Sequence, residues 1–227
     1  MAVGERVGDE MVAVPPGRVT LSDRRTQRSW TVALTPYRLA AYPVTQALYA
    51  EVTGRRPSAA RGDRRPVEGV SWWDAVRFCN ALSRRDGLTP AYRFREGGDG
   101  PEADLDASAD GYRLPAEAEW EHACRAGTTG PHYGPLDEIA WYRGNSQERS
   151  HDVGGKRPNA WGLHDMLGNV WNWCGDFYDP EVYGTYRVLR GGGWFDEHWS
   201  CRASARRRSH PDFRVDDVGF RLARSGH

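Results

Sequence analysis

Hydrophobic and polar positions along the chain follow two periods. Trp72, Ala75, Val76, Cys79 and Leu82 repeat at helical spacing. Ser71 before them and Asp74 three residues on have the pattern of a capping box, and Gly87 is the stop. A shorter helix is predicted over Gln46–Val52, capped by Thr45 and ended by Gly54. A third begins with Pro115 in its first turn, has Trp120, Ala123 and Cys124 as its inner stripe, and ends at Gly127. Its glutamates, Glu117, Glu119 and Glu121, read as a solvated face near the positive helix end. Period-two runs predict strands over Met11–Leu21, broken by Pro15-Pro16-Gly17, and over Trp30–Leu34, Tyr37–Tyr42, Tyr112–Leu114 and Val218–Leu222. Glu96–Ala109 is Gly- and Asp-rich and reads as a surface hairpin or loop. Thr128–Pro158 has little periodicity and is pinned by Trp141 and Tyr142.

No Pro/Ser linker or charge block divides the 227 residues, so residues 1–10 read as a loose tail and 11–227 as one domain. Hydrophobic residues reach only 39%, but ten Trp and ten Tyr supply large core anchors. Formal net charge is zero, from 31 basic and 31 acidic residues, which argues against a general nucleic-acid or membrane-surface binder. No apolar run is long enough to span a bilayer, and MAVGERVGDE lacks the apolar region of a signal peptide. The expected location is therefore cytoplasmic. Cys79, Cys124, Cys174 and Cys201 are widely spaced and read as reduced, buried thiols. Asp99, Glu102, Asp104 and Asp106 lack the pattern of a calcium loop and read as solvated.

Two stretches carry candidate chemistry. In NAWGLHDMLGNVWNWCGDFY, from Asn159, the short oxygen-bearing side chains Asp165, Asn169 and Asn172 sit beside turn-forming glycines. They can cradle a hard cation or satisfy turn backbone groups. From Arg190 to Arg221 the chain opens with Gly191, Gly192, Gly193 and Trp194 and closes on a short alternating run. The twenty or so residues between have no clean period. A stretch irregular inside and framed by rigid ends reads as a binding surface on a scaffold. Trp194, Phe220, Trp171 and Trp173 are its expected core anchors. Arg206, Arg207 and Arg208 read as a solvated edge paired with Asp212, Asp216 and Asp217.

Five motifs, in order, carry a family resemblance: PVTQALY from Pro43, PVEGVSWWDAVRFCN from Pro66, GYRLPAEAEWEHACRAG from Gly111, NAWGLHDMLGNVWNW from Asn159, and RVLRGGGW with GFRLAR from Arg187 onward. The chain resembles the formylglycine-generating enzyme, or sulfatase-modifying factor, family. The resemblance implies an α+β, C-type-lectin-like fold, loop-rich, with small antiparallel sheets and two to three helices. In the family's oxidases two cysteines bind copper(I) and oxidise a substrate cysteine. Their positions match Asp196 and Cys201. A carboxylate is a hard ligand and does not replace a thiolate toward copper(I), so copper is not expected and no cofactor is required. The family's calcium ligands match the Asp165 and Asn172 side chains and the Gly168 and Val170 carbonyls. Asn172 stands where the family has glutamate, which leaves a weakened calcium site or a hydrogen-bonded turn.

Another branch uses the scaffold for binding: the variable proteins of diversity-generating retroelements. By that resemblance the ligand-contacting positions are Phe195, Asp196, Ala203, Ser209, His210, Phe213, Val215, Asp216 and Asp217. Glu197 and His198, beside them, complete the expected ligand-binding set. The function expected is a non-catalytic module that binds a protein or small-molecule ligand through residues 190–221. The alternative is an oxidase of the formylglycine-generating type, or a related enzyme, with an altered metal site.

Overall fold

A computed structural model of the protein describes residues 10–97 and 100–226. Of the tail expected over residues 1–10, residues 1–9 lie outside the described residues, as does Asp99, while the Glu10 carbonyl accepts from the Ala41 N–H at 2.9 Å. Strands β1 (Met11–Val14), β2 (Gly17–Asp23), β3 (Arg28–Leu34) and β4 (Tyr37–Ala40) come first. Helices α1 (Gln46–Thr53) and α2 (Trp72–Arg85) follow, then the hairpin β5 (Tyr92–Gly97) and β6 (Gly100–Leu105). Next are α3 (Glu117–Arg125), α4 (Leu136–Ile139), β7 (Ala140–Trp141), β8 (Leu167–Gly168) and β9 (Trp171–Phe177). The chain closes with α5 (Pro180–Tyr183), β10 (Arg187–Arg190), β11 (Arg206–Ser209), β12 (Val218–Gly219) and β13 (Ala223–Ser225). Three helices stand where the sequence places them. The single turns α4 and α5 are too short to leave a periodic signal. No helix among the described residues is long and apolar enough to cross a membrane.

Local chemistry explains the helix ends. Thr45 accepts from the Leu48 N–H, and Gly54 closes α1 in the left-handed region. Ser71 and Asp74 form the full capping box. Pro115 precedes the helix it was expected to open: Ala116 is the cap, and the Glu119 carboxylate takes the Ala116 N–H at 2.8 Å. The Pro15-Pro16 break splits the first period-two run between two sheets, since β1 pairs with β4 and β2 with β3. Tyr112–Leu114 forms no strand and contributes a single bridge, Arg113 to Ala223.

The central sheet has the order β11-β10-β9-β12, antiparallel except for β12 against β9. Its inner strands β9 and β10 are buried on both faces, which explains why β9 carries an unbroken buried run, Trp171–Cys174. Trp171, Trp173 and Leu189 enter one core with α2 residues Trp72, Phe78 and Leu82. Cys174 and Val188 enter the other with α3 residues Trp120, Ala123 and Cys124. All four cysteines are free and buried. The final run is also buried throughout rather than on one face. Phe220 and Arg221 are both fully covered.

Gly219 is required by close approach, because a Cβ there would stand 2.2 Å from the Val67 carbonyl oxygen. Gly192, at φ 82°, would drive a Cβ to 2.7 Å from Cys201 Sγ.

The α3 glutamates are the main departure from the pattern reading. Glu117, Glu119 and Glu121 are all buried. Arg113 clasps Glu119 through two hydrogen bonds, 2.6 and 2.7 Å. Arg206 clasps Glu117 at 2.6 and 2.9 Å. Glu121 pairs with Arg125 and with fully buried Arg190. Two of these partners, Arg190 and Arg206, lie far along the chain, so helix periodicity cannot register them.

Candidate functional site

The stretch after β10 is fixed by its backbone. The Trp194 N–H donates to the Asn169 carbonyl at 2.8 Å, and the Trp194 carbonyl accepts from Ser146 Oγ at 2.8 Å. The Asp196 carbonyl accepts from the Arg143 N–H at 2.9 Å, and the Ala203 N–H donates to the Pro131 carbonyl at 2.8 Å. Arg190 reaches under the loop to the Ala203 and Ala205 carbonyls at 2.8 and 2.6 Å. Further on, the Val215 and Asp217 carbonyls accept from Gly69 and Trp171 N–H groups at 3.0 and 2.8 Å. Main-chain anchoring of this kind leaves side chains free to face solvent. Phe195, Trp199 and Phe213 do so, at 55, 60 and 56% exposure.

This loop, the β2–β3 turn and the β11 edge enclose an open groove of about 1010 Å³. Five of the sequence-derived positions line it: Phe195, Asp196, Val215, Asp216 and Asp217. Glu197, His198, Ser209, His210 and Phe213 lie outside its lining. Glu197 pairs with Arg143 at 3.3 Å, and His210 packs edge-on to Tyr186. Ala203 is 2% exposed and belongs to a core cluster, so it presents no side-chain surface to a ligand. Residue-level reasoning missed Trp199, Arg202, Ser204 and the opposite wall, Ser22–Arg25. Trp199 carried a local signal, as an aromatic in an aperiodic polar stretch. The β2–β3 turn carried none.

The arginine run is not a uniform edge. Arg206 is largely covered and ties the two walls together through Glu117 and Asp23, the latter at 3.5 Å. Arg207 keeps an expected partner, Asp217, at 3.6 Å. Arg208 packs over the Tyr183 ring. Burial pushes the Asp217 carboxyl up to about 6, against the pull of Arg207. Asp196 is built into the framework: its Oδ2 accepts from Trp171 Nε1 at 2.6 Å and from the Gly193 N–H at 2.9 Å. Trp194, expected in the core, is only partly buried and donates from Nε1 to the Asp216 carbonyl at 3.0 Å.

The side chains Asn172 and Asp165 of the calcium set and Asp196 of the copper set are already hydrogen-bonded. Asn172 Oδ1 accepts from Trp120 Nε1 at 3.1 Å and from Arg221 Nε at 2.8 Å, while its Nδ2 donates to the Val170 carbonyl at 3.0 Å. Asp165 accepts from the Gly154 N–H at 2.7 Å, and the Gly168 N–H donates to the Gly191 carbonyl at 3.0 Å. The Arg221 guanidinium supplies positive charge where a calcium ion would have to sit, so these residues do not fit the ion. Toward copper(I), Asp196 is already engaged, and burial pushes the Cys201 thiol up to about 12. One buried thiol and one carboxylate do not make the two-thiolate set that copper(I) needs.

The chain aligns with the Treponema denticola variable protein 1 at 33% identity and a TM-score of 0.88, covering 95% of each chain. It is 30% identical to the chaperone protein LppX of Paenibacillus barcinonensis over 96% of this chain and 90% of that one. The formylglycine-generating enzyme of Streptomyces coelicolor is 32% identical over 74% of this chain. That alignment takes in only 57% of the enzyme's own length. Residues 2–226 match the sulfatase-modifying factor enzyme 1-like domain. The fold is thus the C-type-lectin-like one of these proteins, and the chain belongs to the sulfatase-modifying factor family.

Proposed function

We propose that this protein is a non-catalytic binding module whose ligand, a partner protein, docks in the groove between the 194–205 loop and the β2–β3 turn. One observation carries the reading: the loop is anchored through its backbone while Phe195 and Trp199 stand free over the groove. Exposed aromatics beside arginines are the residue types that dominate protein interfaces. Two of the relatives that match over nearly the whole chain are named as a variable protein and a chaperone, which supports binding over catalysis. As in variable proteins, Phe195 and Asp216 are exposed positions that can change without cost to the frame, whereas Val215 packs against the core.

The frame and the surface separate experimentally. Phe195→Ser, Trp199→Ser and Asp216→Ser are each expected to alter unfolding free energy by no more than about 0.5 kcal/mol. Asp196→Ala orphans the Trp171 and Gly193 donors and is expected to cost about 1–3 kcal/mol. Binders selected from a displayed protein library against the whole native chain should lose affinity for the Phe195→Ser/Trp199→Ser double variant. Binders that ignore both substitutions would sink the groove reading. The oxidase alternative predicts copper-dependent conversion of a cysteine peptide to formylglycine; we expect none.

The Asp165–Asn172 turn acts as a hydrogen-bonded element braced by Arg221. Thermal melting in millimolar calcium and in excess chelator should therefore give one Tm. A rise in Tm with calcium would show that the turn rearranges to take the ion.

A further inference from the structure

A second cavity, of about 530 Å³, lies between the start of α2, the β5–β6 hairpin and the end of β9, and shares no lining residue with the groove. Its walls are largely apolar, with Trp72, Tyr92, Leu105, Leu114 and Phe177. One arginine among them makes no direct salt bridge among the described residues, and the Asp176 carboxylate acts on it from beyond salt-bridge range. Arg187, at the start of β10, is 8% exposed, and its guanidinium is stacked between the Trp72 and Phe177 rings at 3.9 and 3.7 Å from their centroids.

Its hydrogen bonding is incomplete. Nη1 donates to the Gly175 carbonyl at 2.7 Å. Nε is buried and finds no acceptor among the described residues. The Nε/Nη2 edge is the one by which arginine takes a carboxylate side-on, and this protein uses it that way at Arg206, which holds the two Glu117 oxygens at 2.6 and 2.9 Å. Burial lowers the Arg187 pKa to about 10, so the group stays charged at neutral pH. A buried Nε–H without an acceptor is costly, and an anionic oxygen brought from outside relieves that cost.

We propose that this cavity is a second ligand site, taking a small monocarboxylic acid with an aromatic or branched apolar body, its carboxylate on the Nε/Nη2 edge of Arg187. The body packs against Tyr92, Leu105 and Leu114. The other charges at the cavity set the valence of the ligand. Glu119 is matched by Arg113. Asp176 accepts the Glu117 N–H at 2.6 Å, and burial pushes its carboxyl up to about 6, so it is ionised at pH 7. A second carboxylate on the ligand would face Asp176 and be repelled.

The test uses the full chain at pH 7 with three probes: phenylacetate, neutral 2-phenylethanol and the diacid phenylsuccinate. Titration calorimetry should show saturable phenylacetate binding, with the other two about tenfold weaker or more, the range of a lost charge-assisted hydrogen-bond pair. Arg187→Met should weaken phenylacetate by a similar factor. The native protein gives an independent readout, because the Arg187 Nε–H proton resonance should shift downfield as phenylacetate saturates. Equal affinity for the acid and the alcohol, no saturable binding, or an unmoved Nε–H signal would each overturn the proposal.

Discussion

Arg190→Met is expected to lose about 3–5 kcal/mol of unfolding free energy, the cost of removing one partner from a buried ion pair. Arg190 is fully buried and pairs with Glu121, with Glu117 Oε1 at 3.7 Å from its Nε. Its guanidinium also anchors the 194–205 loop through the Ala203 and Ala205 carbonyls. The substitution would leave Glu121 with Arg125 alone and release both carbonyls. Chemical denaturation checks the magnitude. The double variant with Glu121→Gln distinguishes the causes. If uncompensated charge dominates, adding Glu121→Gln recovers part of the loss. If the loop anchor dominates, it recovers nothing, and hydrogen exchange at Ala203 and Ala205 rises in both variants.

Arg221→Met is expected to be as damaging, for a different reason. Burial lowers the pKa of this group to about 10, and it makes no direct salt bridge among the described residues. It donates instead to neutral acceptors: Asn172 Oδ1 at 2.8 Å and the Ala40, His164 and Asp165 carbonyls at 3.0, 2.8 and 2.9 Å. Three backbone carbonyls would lose this donor. At about 1–3 kcal/mol for each buried group left unsatisfied, the expected loss is on the order of 3–5 kcal/mol after relaxation. Arg221→Lys should recover little, since a lysine ammonium has three donors and no planar fork to span four acceptors. Melting curves that show Arg221→Lys near native stability would refute this account.

Both residues mark the limit of reading a sequence by period. The local elements were legible because their causes are local. Ser71, Asp74 and the spacing of Trp72 to Leu82 specify α2 by themselves. Pro15-Pro16 breaks the first run because neither proline has an N–H to give a ladder, and β2 starts afresh at Gly17. The ordered motifs from Pro43 to the final GFRLAR carried the family and its fold. Part of the surface character of the stretch after Arg190 was legible too, since its aromatics Phe195, Trp199 and Phe213 follow no buried period and are exposed, although β11 forms within it.

What sequence alone did not determine is where charges go. Glu117, Glu119 and Glu121 have the spacing of a solvated helix face, and each is buried. Two of their arginines, Arg190 and Arg206, come from strands about seventy and ninety residues later. Arg221 alternates like an outward strand residue, yet the turn at His164–Asp165 covers it. Asp196 and Ala203 sit in the middle of the display stretch but serve its frame. One holds Trp171 and Gly193; the other packs into the core. Helical and strand periods record which side chains share a face of one element. They carry no information about whether a distant segment brings a guanidinium or a hydrophobic layer to that face. Desolvation and pairing are properties of the assembled layers, so the tertiary structure alone decides which polar residues are buried and which remain free to bind.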